Sequence, residues 1–179
     1  KDSLSQVFSQ HIIPFLQRIG IMWLVGTINP AQEHFISNLI RQKIIAATDA
    51  LPLPDPEQEK ILLYLPEHEW QEIILLVEHY HLRAKGLNSI YLGQSLPYDA
   101  LLKSIDILKP KLIISCWLTA IDSRDIMNYM TQILQDVQST TIAASGYQID
   151  QLKQQLPERI KHIRTLTDLN QLSSFNKLK

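Results

Sequence analysis

Apolar side chains recur every three or four positions across the first part of the chain, which is the spacing of one buried helix face. In the first such run they are Phe8, Ile12, Phe15, Leu16, Ile19 and Trp23. Gly26 ends this predicted helix. Asn29 caps a second helix, in which Pro30 takes the first position and Gln32 completes a capping box. Because two helices cannot enclose a core, residues 1–50 are predicted to be a helical segment that packs on the rest of the chain, on upstream helices or on another subunit.

A proline-rich segment at residues 51–59, LPLPDPEQE, is predicted to be a stiff linker, because its prolines exclude a helix interior or a central strand. Beyond it, short apolar runs alternate with segments of helical length. Strands are predicted at residues 60–65, 88–93, 111–116, 140–144 and 160–164, and helices at about 68–85, 97–108, 121–137, 148–155 and 167–175. Residues 60–179 are therefore predicted to form an α/β domain with a five-stranded, parallel, doubly wound, Rossmann-like sheet.

The composition argues against several classes of protein. The 179 residues are 45% hydrophobic with a formal net charge of -1 and no run of Lys or Arg, so this chain is not expected to bind nucleic acid by itself. The single cysteine excludes a disulfide framework and a multi-cysteine metal site, which fits a cytoplasmic location. No apolar run approaches the roughly 20 residues that span a bilayer, so no membrane partner is predicted. The chain starts at Lys1, and we expect it to be a fragment of a longer protein.

Several common sites of α/β sheets are excluded by the residues that follow the strands. The turn after the first strand, PEHE at residues 66–69, is bulky and anionic, whereas dinucleotide binding needs glycines there. The third strand ends in Ser115 and Cys116 and not in the Asp of a phospho-acceptor domain. His79 and His81 point to different sides of a helix and make a poor metal pair. With no nucleophile–base pair or acid–base dyad, the chain is predicted not to be an enzyme.

Three stretches together resemble a known family. They are NPAQEHFISNLIRQKI at residues 29–44, LLYLPEHEWQEI at 62–73 and IYLGQSLPYDAL at 90–101. They are similar to the C-terminal half of MerR-type transcriptional regulators with a cobalamin-binding domain, a group that includes the light-sensing cobalamin-dependent repressors. The likeness runs from about Ile12 to the last helix. It implies that residues 1–50 are a helical cap, part of a bundle over the carboxyl edge of the sheet, with the corrinoid between the bundle and the sheet.

The resemblance assigns an upper face to this site. The family's bundle presents to the cofactor a Trp and, ten residues later, a Glu-His pair, and Trp23, Glu33 and His34 match that spacing. A flat indole would cover the upper side of the corrinoid, while Glu33 and His34 would offer polar contacts. From the residues alone the alternative stays open that Trp23 anchors the helix pair and that Glu33 and His34 lie on a solvated face.

The lower face departs from the family. In the family, the loop after strand one carries a Glu-x-His-x-x-Gly pattern whose His ligates cobalt. The aligned positions in this chain are Glu69, Gln71 and Ile74. An amide is a poor cobalt ligand, and Ile74 adds bulk where the family has glycine. His68 lies three residues before Gln71 and would share its side if the helix began near residue 67, so it is an outside candidate for cobalt. No other metal ligand is predicted.

The remaining family positions are partly kept. Ser115 matches the family's serine after strand three, but Trp117 stands where a smaller apolar residue is usual. The paired glycines after strand four correspond to Ala144-Ser145-Gly146. By resemblance, the candidate cofactor-binding residues are Trp23, Glu33, His34, Gln71, Ser115, Ser145 and Gly146. Cobalamin is the cofactor that the resemblance implies, and Gln71 counts against it.

Three functions remain open. The first is the sensor and oligomerisation domain of a MerR-type regulator, a homodimer or higher homo-oligomer that binds DNA through a domain upstream of Lys1, with His-ligated cobalamin binding lost or altered. The second is a photosensory domain that still binds cobalamin, either with the cofactor's own base on cobalt or through His68. The third is a corrinoid carrier subunit of a methyltransferase.

Overall fold

The N-terminal part of the protein is a pair of helical segments, as predicted. The computed structural model describes residues 4–120, 122–152 and 154–174. The first segment comprises α1 (Leu4–Val7), a π-helical stretch (Phe8–Ile12) and α2 (Ile13–Leu24), and the second is α3 (Pro30–Asp49). The predicted capping box of α3 is present, because the Asn29 side chain accepts from the backbone N–H of Gln32 while the Gln32 side chain accepts from that of Asn29, each at 3.0 Å.

The rest of the described chain is an α/β domain of alternating strands and helices. The strands are β1 (Ile61–Tyr64), β2 (Ser89–Tyr91), β3 (Leu112–Cys116), β4 (Thr141–Ser145) and β5 (Ile160–Ile163). The helices are α4 (Ile73–Ala84), α5 (Tyr98–Leu108), α6 (Ser123–Asp136), α7 (Tyr147–Leu152) and α8 (Leu166–Leu172). All pairings are parallel and the strand order is β2-β1-β3-β4-β5, which confirms the predicted doubly wound fold.

Both faces of the sheet are apolar because helices cover both. Leu62, Tyr64 and Ile113 face a core built with α5, α6 and α7. The alternate residues of the same strands face α4 and α8, as Leu63 and Ile114 do. This arrangement explains why the strands are almost continuously hydrophobic and not alternating. No helix in the described ranges is long and apolar enough to cross a membrane.

Helix α3 lies alongside α4 and points in the same direction. Arg41 contacts Glu72 at the start of α4, Ile44 packs in a cluster with residues of α4, and Arg83 near the end of α4 donates to the carbonyl of Pro52 just after α3. Since α4 begins at the carboxyl edge of the sheet, the part of α3 before Arg41 extends beyond that edge by roughly 16 Å at 1.5 Å per residue.

One predicted boundary is wrong. Helix α4 was predicted from about residue 68 but begins at Ile73. The intervening residues form an irregular loop, in which His68 has a left-handed φ of 69° and Pro66 forms an isolated bridge to Leu96. A left-handed residue cannot continue a right-handed helix, so the chain turns before α4 can start.

Candidate functional site

The loops that follow β1, β3 and β4 meet at the carboxyl edge of the sheet. Strands β1 and β3 are neighbours, while β2 lies on the other side of β1, so the strand order reverses at this point. In open parallel sheets, ligands bind at the carboxyl ends of the strands beside such a reversal. The candidate site is therefore formed by residues 65–72, 117–120 and 145–146.

Glu69 joins two of these loops. Its carboxylate is fully buried, and Oε2 accepts from the backbone N–H groups of Leu118 at 2.8 Å and Thr119 at 2.6 Å. Oε1 accepts from the Thr119 hydroxyl at 2.8 Å and from the backbone N–H of Gln71 at 2.9 Å. A carboxylate has about four lone-pair positions, so this group is saturated by the protein itself. Most of the donors come from the loop after β3, because α4 does not begin until Ile73.

Gln71 and His68 do not share a helix face. Both precede α4, and both are exposed. The backbone N–H of His68 donates to the Ser95 hydroxyl at 3.0 Å, which holds this residue in the left-handed turn. His68 was a candidate cobalt ligand only if it shared a helix face with position 71. The structure does not place the two residues on one helix. Ile74 lies in the first turn of α4 and packs against the core beneath the loop.

Ser115 and Trp117 belong to an aromatic cluster under the edge of the sheet. The buried Trp117 indole N–H donates to the Ser115 hydroxyl at 2.9 Å, and its ring meets Tyr129 edge-on with centroids 5.0 Å apart. The Tyr129 hydroxyl donates to that of Tyr64 at 2.9 Å, and Tyr64 is also hydrogen-bonded to Ser115. Burial raises the pKa of Tyr64 well above its usual value, so its hydroxyl stays neutral. Trp117 thus fills space on the α5–α7 side of the sheet.

Ser145 and Gly146 close the end of β4 against the loop after β3. Gly146 has φ 101°, and a Cβ added there would lie 2.4 Å from the carbonyl oxygen of Trp117. This glycine is therefore required by the protein's own backbone. The buried Ser145 hydroxyl lies 3.4 Å from the carbonyl oxygen of Ser115, to which it donates. Ser145 is also hydrogen-bonded to Glu78 on α4.

Glu78 is a further polar residue near this edge, and it is not among the predicted site residues. It is buried, and its Oε2 has no hydrogen-bond partner within the described part of the structure. Burial raises the pKa of Glu78 to about 8, against a smaller lowering by the Ser145 hydrogen bond. A signal was available, since Glu78 follows Leu75 by three positions and precedes Leu82 by four, and all three lie on the core face of α4.

The upper-face candidates belong to the helical pair and not to these loops. Trp23 belongs to α2, and its side chain is outside the described residues. The half-buried Glu33 accepts from the Ser37 hydroxyl at 3.1 Å and lies 3.2 Å from Nδ1 of the exposed His34. Both belong to the part of α3 that extends beyond the sheet. The described contacts of Glu33 and His34 are made within α3.

These residues do not fit a corrinoid ligated from below by an imidazole. The side chain at position 71 is an amide, and the neighbouring carboxylate of Glu69 has no free acceptor for a ligand histidine. The side chains of Ile74 and Trp117 pack into the protein's core beneath the edge. Among the described residues, no group of three or more His, Cys, Asp or Glu side chains is placed to hold a metal ion.

Comparison with known proteins identifies relatives of the chain. No protein-family model matches it. It is 28% identical over 130 residues to the HTH-type transcriptional repressor CarH of Myxococcus xanthus. This match covers 73% of this chain and 43% of CarH. It is 36% identical over 90 residues to the repressor CarA of the same organism, which covers 50% of this chain and 29% of CarA. The matched part thus spans less than half of either relative.

Solved structures show the same fold. The monomethylamine corrinoid protein of Methanosarcina barkeri matches with a TM-score of 0.75 at 12% identity, over 94% of this chain and 81% of that one. A cobalamin-binding protein of Desulfitobacterium hafniense DCB-2 matches with a TM-score of 0.52 at 10% identity, over 90% and 77%. The family resemblance and the Rossmann-like fold are therefore confirmed. The chain is related to these repressors and has the fold of cobalamin-binding domains.

Proposed function

We propose that this relative of CarH and CarA is the sensor and oligomerisation domain of a MerR-type transcriptional regulator, in which cobalamin binding through a protein histidine has been lost or altered. The proposal rests on one observation above others, the saturation of Glu69 beside Gln71. The carboxylate that neighbours the aligned ligand position is held by the loop after β3, and the residue at that position offers an amide.

The chain's charge and surface support a regulatory role carried out through assembly and not through catalysis. A net charge of -1, with no run of Lys or Arg in the sequence, does not favour phosphate contacts, so DNA binding is assigned to a domain outside this chain. Helix α3 leaves Phe35 and Leu39, one turn apart, exposed on the side away from α4. Large apolar groups in such a row favour packing against further helices or a second copy. A change in that packing would alter the spacing of DNA-binding domains on a two-fold operator.

Titration with adenosylcobalamin, followed by visible absorbance, tests the proposal. The parent chain should give no spectrum of an imidazole-ligated corrinoid. Gln71→His with Ile74→Gly restores the ligand and the space that the family has, so its affinity should rise about tenfold or more over the parent. The matched control, Gln71→Asn with Ile74→Gly, opens the same space without an imidazole and should not show this gain. Equal binding by the two double variants would contradict the role given to position 71.

A second candidate is a corrinoid carrier subunit for methyl transfer. It is supported by the similarity in fold to the corrinoid protein of Methanosarcina barkeri, over nearly the whole chain. The amide at position 71 counts against it, because such a carrier depends on control of the cobalt ligand. Methyl transfer to or from a corrinoid mixed with this chain would favour the carrier, and its absence would favour the regulator.

A further inference from the structure

Glu72 directly follows Gln71 and ties three elements together. Its side chain is only 5% exposed although it lies at the start of α4. Oε1 accepts from Nε of Arg41 on α3, and Oε2 accepts from the hydroxyl of Tyr91 on β2. A single buried carboxylate at the start of α4 therefore connects helix α3 with the edge strand β2.

The partners of Glu72 are themselves fixed. The Tyr91 ring stacks on that of His79, with centroids 6.0 Å apart and an angle of 29° between the planes. Nδ1 of His79 lies 2.9 Å from the Ser89 hydroxyl. Burial, together with the charge of Arg83, lowers the pKa of His79 to about 4, so the imidazole is neutral at pH 7. Arg41 is thus the cation that balances Glu72 among the described ion pairs.

The position of Arg41 on α3 makes this contact a pivot. Ile44, Ile40 and Phe8 pack in a cluster with Leu76 and Val77 of α4, so apolar contacts anchor the helical pair beside Arg41. Further toward its N-terminus, α3 extends past the edge of the sheet. Within the described residues, the Arg41–Glu72 pair is the one ion pair between the helical pair and the α/β domain.

The loop before Glu72 is exposed to solvent. The Trp70 indole is 61% exposed, and Gln71 is exposed as well. The loop is held from one side by Nε2 of Gln94, which donates to the carbonyl oxygen of Trp70 at 2.6 Å. Glu72 is joined covalently to this exposed pair, which gives a displacement of the loop a direct route to the buried carboxylate.

We propose that Glu72 is a positioning residue that sets the angle of the helical pair over the carboxyl edge of the sheet, and that movement of the Trp70–Gln71 loop changes this angle by displacing its carboxylate. The inference rests on the proposed function, since it gives a sensor at this edge a route to the helices. Arg41 on α3 and Tyr91 on β2 are the two residues that contact this carboxylate.

Distances between paired spin labels test the inference. Cysteines introduced by Ala31→Cys on α3 and Gln132→Cys on α6 are exposed positions, whereas the native Cys116 is buried and stays unlabelled. With Glu72 intact the distance distribution should be narrow. Glu72→Gln should broaden it about twofold or shift its mean, because the helix loses its fixed angle. A role of Glu72 in local stability alone would leave the distance between the labels unchanged.

A cycle of variants shows whether the carboxylate acts through Arg41. Arg41→Gln should have the effect of Glu72→Gln, and the two together should add nothing further. Asp122→Asn, which breaks the exposed pair with Arg124, is the matched control and should leave the distribution as in the parent. Tyr91→Phe removes one hydroxyl and keeps the ring, so it provides a milder variant if Glu72→Gln does not fold. An unchanged distribution in the Glu72 or Tyr91 variant would overturn the inference.

The link to the loop is tested separately. Gln94→Ala frees the Trp70 carbonyl without touching Glu72, so it should broaden the distribution in the parent but not further in the Glu72→Gln background. Additive effects in that pair would overturn the coupling. These distances are measured on the ligand-free chain, whereas the proposed sensor function is tested by the cobalamin titration. A failure of one is therefore distinguishable from a failure of the other.

Discussion

Three buried glutamates near the carboxyl edge meet the cost of burial in three different ways. Glu69 accepts four hydrogen bonds from the protein, and Glu72 pairs with Arg41. Glu78 forms no ion pair within the described ranges, and burial raises its pKa to about 8, so it is held as a neutral acid at pH 7. An isolated buried carboxylate is too costly to remain charged, and each of these solutions follows from the groups within reach.

The raised pKa of Glu78 predicts a pH-dependent stability. The folded protein keeps a proton, up to about pH 8, that the unfolded chain releases near its ordinary value of 4.5. The free energy of unfolding should therefore fall as the pH rises through this window, by about 1.4 kcal/mol per pH unit at most, and level off above it. Glu78→Gln keeps the shape and carries no charge. Its stability relative to the parent should increase from acid to alkaline pH, as measured by urea denaturation.

Glu158→Gln is the matched control for this measurement, because Glu158 is exposed. Its stability relative to the parent should not vary across the same range of pH. A constant difference between Glu78→Gln and the parent would mean that Glu78 is charged in the folded protein.

Among the secondary-structure elements, the strands follow from the sequence and the loops do not. The apolar runs are long enough and close enough in spacing to define five buried strands. The start of α4 was misplaced because residues 67–72 suit a helix in local propensity, while Glu69 is drawn to donors about fifty positions away in the loop after β3. Ser115, Gln71 and Gly146 lie at the carboxyl edge of the sheet, and their role in cofactor binding stays a prediction. The contact of Glu72 with Arg41, 31 residues before it, has no local signal in the sequence.

The turn between β4 and α7 depends on the glycine at position 146. Gly146→Ala places a methyl group 2.4 Å from the Trp117 carbonyl oxygen, in addition to the strain of a positive φ. We expect a loss of about 3 kcal/mol or more in the free energy of unfolding. Gly93→Ala is the control, since Gly93 has φ 94° but open space around its Cβ, and about 1–2 kcal/mol of strain is expected. Equal losses in a urea denaturation would show that the backbone contact contributes nothing.

For the whole molecule, the division into a helical cap at residues 1–50, a linker at 51–59 and an α/β domain at 60–179 remains a prediction. The described contacts show how the helical pair lies on α4, through Phe8, Ile44 and their neighbours and through Arg41. The exposed apolar row of α3 faces away from these contacts. It is this row that connects the fold to the proposed role in assembly.

Substitution of that row tests the role in assembly. Phe35→Gln with Leu39→Gln should weaken self-association of the chain about tenfold or more, because it removes the apolar surface on which further helices would pack. Sedimentation velocity across a range of concentrations measures the change. Ile107→Gln is the control, since Ile107 is 78% exposed but lies on α5 in the opposite layer. If both substitutions had the same effect, the row would have no special part in assembly.

The most direct test of the account concerns the cobalt ligand itself. The protein is prepared with ¹⁵N-labelled histidine and mixed with cobalamin reduced to Co(II), and the electron paramagnetic resonance spectrum reports the nucleus of any axial nitrogen. We predict either no bound cobalamin or the splitting of the cofactor's own unlabelled ¹⁴N base, because the chain offers an amide at position 71 and His68 lies in a turn outside α4. A doublet splitting from ¹⁵N, which only a histidine of this protein can produce, would contradict the account.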